Sequence, residues 1–540
     1  MLIFASLSGI QDFLFDVRET GGGQARALRY RSFRIQIIAE CVAERLLAAA
    51  SLSKDHLLFN AAAKVCIDAG ALDRNSQEAV RHTACDMARS LVHQTQGRLR
   101  LAWAIVPSAD SFGQTFERGN RLLATAKLQP LRELATADRE SAAWPEDALV
   151  LPQTWSADAE AENDTDLGRR LANAKWMSMY SGHESMDGKV EVLGLRLALS
   201  DTPPQDSEDL IAYSHLSGSQ SPPSGMAPSK FRVRRLARHI PRDEYGNPVE
   251  FLDLANKARG APMLGVLKAD ADSLGKAIAK ILEDATDVKP LQKFSEALDR
   301  FFAETLEDEK QYTGSPWNSI YTVFSGGDDL LAVGPWDIVL DFAWRVRSLF
   351  DQTFGYKSER SCSRQPLTMS AGIAIIKPRY PIHLAAQQAE DLLEQAKRER
   401  APHADLPKDQ CSTLGALWKW KDHETIIQSA RQLADWVKAD IVQRGWLHTL
   451  LQLAMLRRGR AGPEYKDVHP AVATSRLAYH IARNWPKPDD RDERRRAARA
   501  WADTLLREFD CFDTTSHCET VYLPVIVRYA LLATRGRTEE

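Results

Sequence analysis

Two hydrophobic periods alternate along this chain. Short apolar runs closed by Gly, Pro or Asp predict strands, and stretches with apolar residues three and four apart predict helices. Leu2 to Leu7 reads as a strand turning into a helix at Ser8 to Gln11. Leu28 to Ile38 then lies on a long helix, Leu57 to Lys64 forms a hairpin, and Leu99 to Ile105 forms a strand. The same order of strand, helix, hairpin, helix and strand returns over residues 264–400. A strand from Leu264 leads to a helix from Leu274 to Leu282. Ile320 to Phe324 and Leu330 to Val333 are the arms of a hairpin. Pro335 to Phe354 is a helix with Ile338, Phe342, Val346 and Phe350 at helical spacing, and Ser370 to Ile376 is a buried strand. A repeat of this size predicts a duplicated domain. From about Thr413 the period is helical: Gln428 to Lys438, Leu447 to Leu456, Val472 to Ala482 and Tyr522 to Thr534, joined by short polar segments, predict a bundle. The class is α+β.

The stretch between the repeats, 108–255, is less regular. Arg121 to Leu134 and Asp166 to Trp176 predict helices, and the Pro, Ser and Gly of Asp201 to Ser229 predict a mobile loop. The basic run Lys230 to Arg242 reads either as a solvated strand face or as a contact for RNA phosphates.

Composition narrows the field. A chain of 540 residues has room for several domains, and 70 Lys and Arg against 73 Asp and Glu leave a net charge of −3. No global basic field attracts nucleic acid, so any such contact rests on local patches. Seven scattered cysteines without a C-x-x-C pair predict reduced thiols. With no signal peptide and no long apolar run, the expectation is a soluble cytoplasmic protein.

The candidate chemistry sits at Ser325-Gly-Gly-Asp-Asp329. Gly326 and Gly327 allow a sharp turn that presents Asp328 and Asp329, and adjacent carboxylates repel unless a cation such as magnesium lies between them. Alone, this is equally an ordinary hairpin turn. Upstream, Asp270 and Asp272 end an apolar strand just before a helix that opens at Ser273, Leu274 and Gly275. Carboxylates beside a helix N-terminus suit a metal–phosphate site. Asp270 with Asp328 and Asp329 predicts one or two divalent ions for phosphoryl transfer.

Lys-Ala-Asp-Ala-Asp-Ser-Leu-Gly275, Phe324-Ser-Gly-Gly-Asp-Asp-Leu330, Thr368 to Pro378, Tyr380-Pro-Ile-His-Leu-Ala-Ala386 and Leu393-Glu-Gln-Ala-Lys397 resemble, in order, the catalytic palm of the large subunit of type III CRISPR effector complexes, most closely the Csm (type III-A) form. The resemblance implies two ferredoxin-like polymerase palms, similar to those of diguanylate cyclases. They would comprise a non-catalytic palm at 1–107 and a catalytic palm at 256–405, with a linker at 108–255 and a helical bundle at 406–540. It implies a cyclic oligoadenylate synthetase that polymerises ATP when target RNA is bound. Asp270, Asp328 and Asp329 are then catalytic, and Asp270, the Ala271 carbonyl and Asp329 hold two Mg²⁺ or Mn²⁺ ions. Ser8, Gly9, Ser273, Leu274, Gly275, Ser325, Gly326, Gly327 and Lys397 are the nucleotide-binding candidates. Lys397 also suits a helix's last turn without any ligand, and Ser8 to Gln11 also reads as a plain helix cap.

Other implications follow from the same likeness. Ser8 replaces Asp in the first palm, and Asn60 to Ala63 replaces its glycine-rich hairpin, so that copy is expected to hold no metal. Relatives carry a zinc in the linker and a histidine-aspartate nuclease domain before the first palm. Trp155 to Asp164 has no cysteine and none of the 13 histidines precedes an Asp, so neither zinc nor DNase activity is expected. Expected partners are guide crRNA, target RNA, the repeat-handle-binding subunit, the backbone subunits and the small helical subunits that the C-terminal bundle packs against. The alternatives are a scaffold subunit with a vestigial palm and a free-standing nucleotide cyclase. Arg494 to Arg496, interleaved with acids, reads as a solvated helix face.

Overall fold

The computed structural model describes residues 1–15, 24–61, 63–109, 111–129, 170–171, 174–182, 190–216, 221–233, 239–245, 248–283, 289–311, 314–355, 366–458, 468–488, 491–509 and 518–536. The chain opens with β1 (Leu2–Ser8), α1 (Ile10–Phe15), α2 (Gln24–Ala49), β2 (Leu57–Ala61), β3 (Lys64–Asp68), α3 (Arg74–Gln94), β4 (Arg100–Val106) and α4 (Phe112–Lys127). β1 pairs antiparallel with both β3 and β4, giving the order β2-β3-β1-β4. The alternation that predicted these strands buries Phe4, Cys66 and Ala104 on one face, where Phe116 and Leu123 of α4 complete the core. α4 thus belongs with this sheet, past the expected joint at 107. Asp73 and Ser111 cap α3 and α4 by accepting from the backbone N–H groups of Ser76 and Gln114.

The next stretch departs from expectation. β5 (Trp176–Tyr180), β6 (Val190–Val192), β7 (Leu195–Ser200) and β8 (Leu210–His215) form an antiparallel sheet in the order β6-β7-β5-β8. Trp176, expected at the end of a helix, begins a strand. β8 lies inside the stretch expected to be a mobile loop, because Leu210, Ala212 and Tyr213 are apolar and buried within it. Asp166 to Arg169 and the segment Trp155 to Asp164, on which the expectation of no zinc rested, lie outside the described residues. The basic run begins with structural contacts: Arg232 makes a two-pronged ion pair with Glu44, by its Nε and, at 2.9 Å, its Nη2.

There follow α5 (Phe251–Asn256), β9 (Leu264–Asp272), α6 (Leu274–Glu283), α7 (Lys289–Arg300), a π-helical turn at Phe301–Thr305, α8 (Leu306–Gln311), β10 (Tyr321–Gly326), β11 (Asp329–Pro335), α9 (Trp336–Phe354), β12 (Thr368–Ile376) and α10 (Ile382–Arg398). β13 (Gln410–Thr413) and β14 (Ala416–Lys419) come next. The strand order is β10-β11-β9-β12-β13-β14, so its first four strands repeat the second-third-first-fourth order of the first sheet. β13 and β14 extend this sheet beyond residue 405, where only helices were expected. The chain ends with α11 (His423–Lys438), α12 (Arg444–Arg457), α13 (Val472–Asn484), α14 (Glu493–Glu508), α15 (Cys518–Val521) and α16 (Leu523–Ala533). Trp436, Trp485 and Trp501 pack among these helices, the last two stacked with centroids 5.6 Å apart.

By contact the chain divides into two units. One is Met1–Glu250 with Ser273–Ala332 and Phe350–Leu367; the other is Phe251–Asp272 with Val333–Leu349 and Thr368–Glu540. Among the described residues, no helix is long and apolar enough to cross a membrane.

Candidate nucleotide and metal site

In the second unit, Asp270 and Asp272 sit on β9 opposite Ser370 and Thr368 of β12. The two aspartates differ in what they face. Asp272 is 3% exposed, and its carboxylate accepts from Thr368 Oγ1 (2.8 Å), Ser370 Oγ (2.9 Å) and the Asp409 N–H (3.0 Å). Asp409 is itself clamped by Arg347 at 3.0 Å. Those bonds leave Asp272 as a brace between strands. Asp270 is part-exposed and receives the Lys397 Nζ at 2.6 Å. Burial alone would lower the Lys397 pKa, but the hydrogen bond to Asp270 and the charges of Asp270 and Asp272 outweigh it and raise it. Lys397 reaches this place because α10 lies close on β12: Gly372 has no side chain where a Cβ would meet the Ala389 carbonyl at 2.2 Å.

In the first unit, Gly327 and Asp328 form the two-residue turn between β10 and β11. Gly327 has φ +68°, the positive value that a first turn position of the II′ kind requires of glycine. Asp328 therefore stands at the tip and Asp329 opens β11. Ser273, with φ +60°, reverses the chain before α6, which starts with its Leu274 and Gly275 beside open space at Gly275. Leu274, Gly275, Gly327 and Asp328 line one cavity of about 830 Å³. Its charged walls include Lys64 and Lys127 as well as Glu117 and Asp299, with Asn120 of α4 among the neutral polar groups. Lys64 Nζ donates to Asn120 Oδ1 and lies 5.8 Å from the centroid of Phe116. Burial lowers the pKa of both Lys64 and Lys127, and the negative charge of Asp328 partly offsets this at Lys64.

Several candidates lie elsewhere. The cavity takes Ser6, and not Ser8 or Gly9, from the first strand and its end. Gly9 is held against the Arg98 carbonyl, 1.9 Å from where a Cβ would sit, so its glycine serves a close backbone approach. Ser325 is buried and donates its hydroxyl to the Phe302 carbonyl at 2.6 Å, which makes it structural. Neither Ser273, Ser325 nor Gly326 lines the cavity. Lys64, Asn120 and Lys127 were missed, since no spacing in the sequence links them to the aspartates.

Asp270 and the Ala271 carbonyl in the second unit, and Asp328 and Asp329 in the first, each offer only oxygen donors, the hard ligands that suit magnesium or manganese. Among the described residues, no three His, Cys, Asp or Glu side chains come together as a metal-binding group.

The chain matches two family models. Residues 263–404 match the second palm domain of Cas10/Cmr2, and residues 1–137 match domain B of the Csm1 subunit. The chain belongs to the Cas10/Csm1 family. A Cas10/Csm1 protein of Mycobacterium tuberculosis, named a single-strand-specific deoxyribonuclease of CRISPR subtype III-A, is 25% identical over 85% of the chain and 60% of its own length. The namesake of Enterococcus italicus is 34% identical over 26% of the chain and 17% of its own length. The chain thus spans about 60% of the M. tuberculosis relative. Its fold is that of Csm1: the Csm1–Csm4 cassette crystallised with cA4 matches with TM-score 0.72 over 99% of this chain and 70% of that one, at 18% identity. The same cassette with one ATP matches with TM-score 0.70 at 18% identity, over the same shares of each chain. The Cas10/Cmr2 palm match contains both Asp270 and the Gly-Gly-Asp-Asp turn.

Proposed function

We propose that this chain is the cyclic oligoadenylate synthetase subunit of a type III-A CRISPR effector complex, polymerising ATP when target RNA is bound. The observation that carries the reading is the turn: a glycine with positive φ places Asp328 on the wall of a cavity of about 830 Å³, a size ordinary for small-molecule sites, beside the first turn of α6. Solved Csm1–Csm4 cassettes carry cA4 and ATP, which supports the same ligand class here. We divide the chain into a non-catalytic palm, a linker, a catalytic palm and a helical bundle, with α4 counted in the first palm and β13 and β14 in the sheet of the second. The partners we assign are the other type III subunits, the guide crRNA and target RNA.

The reaction joins the 3′-hydroxyl oxygen of one ATP to the α-phosphorus of another. The P–O bond to pyrophosphate breaks, and the hydroxyl proton is lost to solvent. Magnesium or manganese would be held by Asp270, the Ala271 carbonyl and Asp329, with Asp328 in support, and supplies charge neutralisation for nucleophile and leaving group. The backbone N–H groups of Leu274 and Gly275, at a helix N-terminus, bind phosphate oxygens. Lys397 adds a fixed positive charge while holding Asp270 in one orientation.

The test is incubation of the assembled, target-bound complex with labelled ATP and magnesium or manganese. Phosphatase-resistant oligoadenylate should form, and Asp328→Ala/Asp329→Ala should abolish it without loss of assembly. A double variant that still turns over ATP, or a wild-type complex without product, refutes the assignment; the second outcome favours a scaffold.

A further inference from the structure

β10 carries the catalytic turn of the reading above, on which this inference rests, and it is the first strand of its sheet. Such a strand needs something to fix its position, since one side of its backbone has no neighbouring strand. Here that side meets His239, near the end of the basic run: the Thr322 N–H donates to the His239 carbonyl at 3.3 Å. The His239 N–H donates to Glu307 Oε2. Glu307 and Lys310 of α8 are a buried ion pair at 2.8 Å, and the Lys310 side chain is 0% exposed. Both reach β10 at one hydroxyl. Lys310 Nζ donates to Thr322 Oγ1 at 2.6 Å, and that hydroxyl donates to Glu307 Oε1 at 3.0 Å. His239 is fixed a second time by its ring Nε2, 2.9 Å from the Asn318 carbonyl. Further along the strand, Ser325 bonds the Phe302 carbonyl inside the π-helical turn.

A buried charge pair contributes little net stability against an apolar replacement, so its use is better sought in what it orients. A π-helical turn points the same way, because such turns concentrate at functional sites. We propose that Glu307, Lys310 and Thr322 are positioning residues that lock β10 to the chain at His239, and thereby set where the Gly327–Asp328 turn presents its carboxylates. Thr322 is the β10 residue whose side chain bonds both Glu307 and Lys310, whereas Ser325 bonds the Phe302 carbonyl separately. Replacing Thr322 unlocks the strand while leaving Glu307, Lys310 and the His239 contacts in place.

The test compares Thr322→Val with Thr322→Ser in the full chain. Hydrogen exchange is followed over 320–335, with thermal unfolding, and kcat and KM for ATP are measured in the assembled complex. Thr322→Val should speed amide exchange at Gly326 to Asp329 by about tenfold and lower kcat by about 10–100-fold with KM unchanged, as small misplacements of reacting groups do. Thr322→Ser should behave as wild type. The inference is overturned if Thr322→Val exchanges and turns over as wild type. It is also overturned if exchange rises equally across the chain with a lowered melting point, or if Thr322→Ser is as impaired. A wild-type complex without ATP turnover would remove the proposed function alone, because the exchange comparison still decides the lock.

Discussion

Replacing Gly372 by alanine tests how Lys397 is delivered to Asp270. A Cβ there lies 2.2 Å from the Ala389 carbonyl oxygen and 2.3 Å from the Leu393 nitrogen. Both are backbone atoms of α10, so no side chain can turn aside, and the helix must lift off β12 by about 1 Å to restore ordinary contact distances. Overpacking of this kind costs about 1–3 kcal/mol. Lys397 lies one turn beyond Leu393, and its 2.6 Å bond to Asp270 lengthens past the roughly 3.5 Å limit of a hydrogen bond when the helix moves. Gly372→Ala should therefore lower the urea midpoint and also bring ATP turnover down to the level of Lys397→Met. The Lys397→Met variant alone should unfold nearly as wild type, since a part-exposed pair contributes little. A Gly372→Ala protein with wild-type stability and turnover would refute the seating of α10. A destabilised variant with full turnover would separate the Lys397–Asp270 bond from the chemistry.

Other outcomes follow from the same geometry. His423 is buried among Trp344, Trp418 and Trp420, and burial pulls its pKa down to about 3, so the folded chain resists a proton that the unfolded chain accepts near pH 6.5. Stability should fall as pH drops below 6.5, by about 2 kcal/mol at pH 5 relative to pH 7. His423→Gln should remove that share of the pH dependence in urea titrations followed by tryptophan fluorescence, and equal slopes in both proteins would contradict it. Gly327→Val should cost about 1–2 kcal/mol because of its positive φ, and Gly327→Asn should cost less; equal unfolding midpoints would show that the turn tolerates either. Arg232→Ala should lower the melting point, as expected of an ion pair with Glu44 that is mostly buried. An unchanged melting point would return Arg232 to the solvent-facing reading.

Much of this was legible in the chain. The repeated strand, helix and hairpin order followed from periodicity, because each copy has strands apolar enough to stand out and glycines at its turns. Resemblance marked Lys397 as a nucleotide-binding candidate but said nothing of its bond to Asp270, since 127 residues separate them and only the fold brings their elements together. β5 to β8 escaped notice for a physical reason: Met177-Ser-Met179 and Leu210-Ile-Ala-Tyr213 are short and flanked by polar residues, so a helical or loop reading fits them as well. β13 and β14 have four residues each, too few for a period to show. Lys64 and Asn120 enter the cavity from a strand and a helix that no local pattern ties to catalysis.

Asp-Ala-Asp272 looks symmetrical as a string, yet only one of its two carboxylates is available to chemistry. The other is satisfied by Thr368, Ser370 and the Asp409 amide. Judging whether a related palm is active or decayed by counting acidic letters therefore scores the wrong unit. A copy that keeps both aspartates but has valine at the two hydroxyl positions of β12 would present an unanchored strand end, whereas asparagine at the braced position, with the hydroxyls retained, would be the milder lesion. Surveys of such genes gain discrimination by reading the hydroxyl pair together with the acid it restrains.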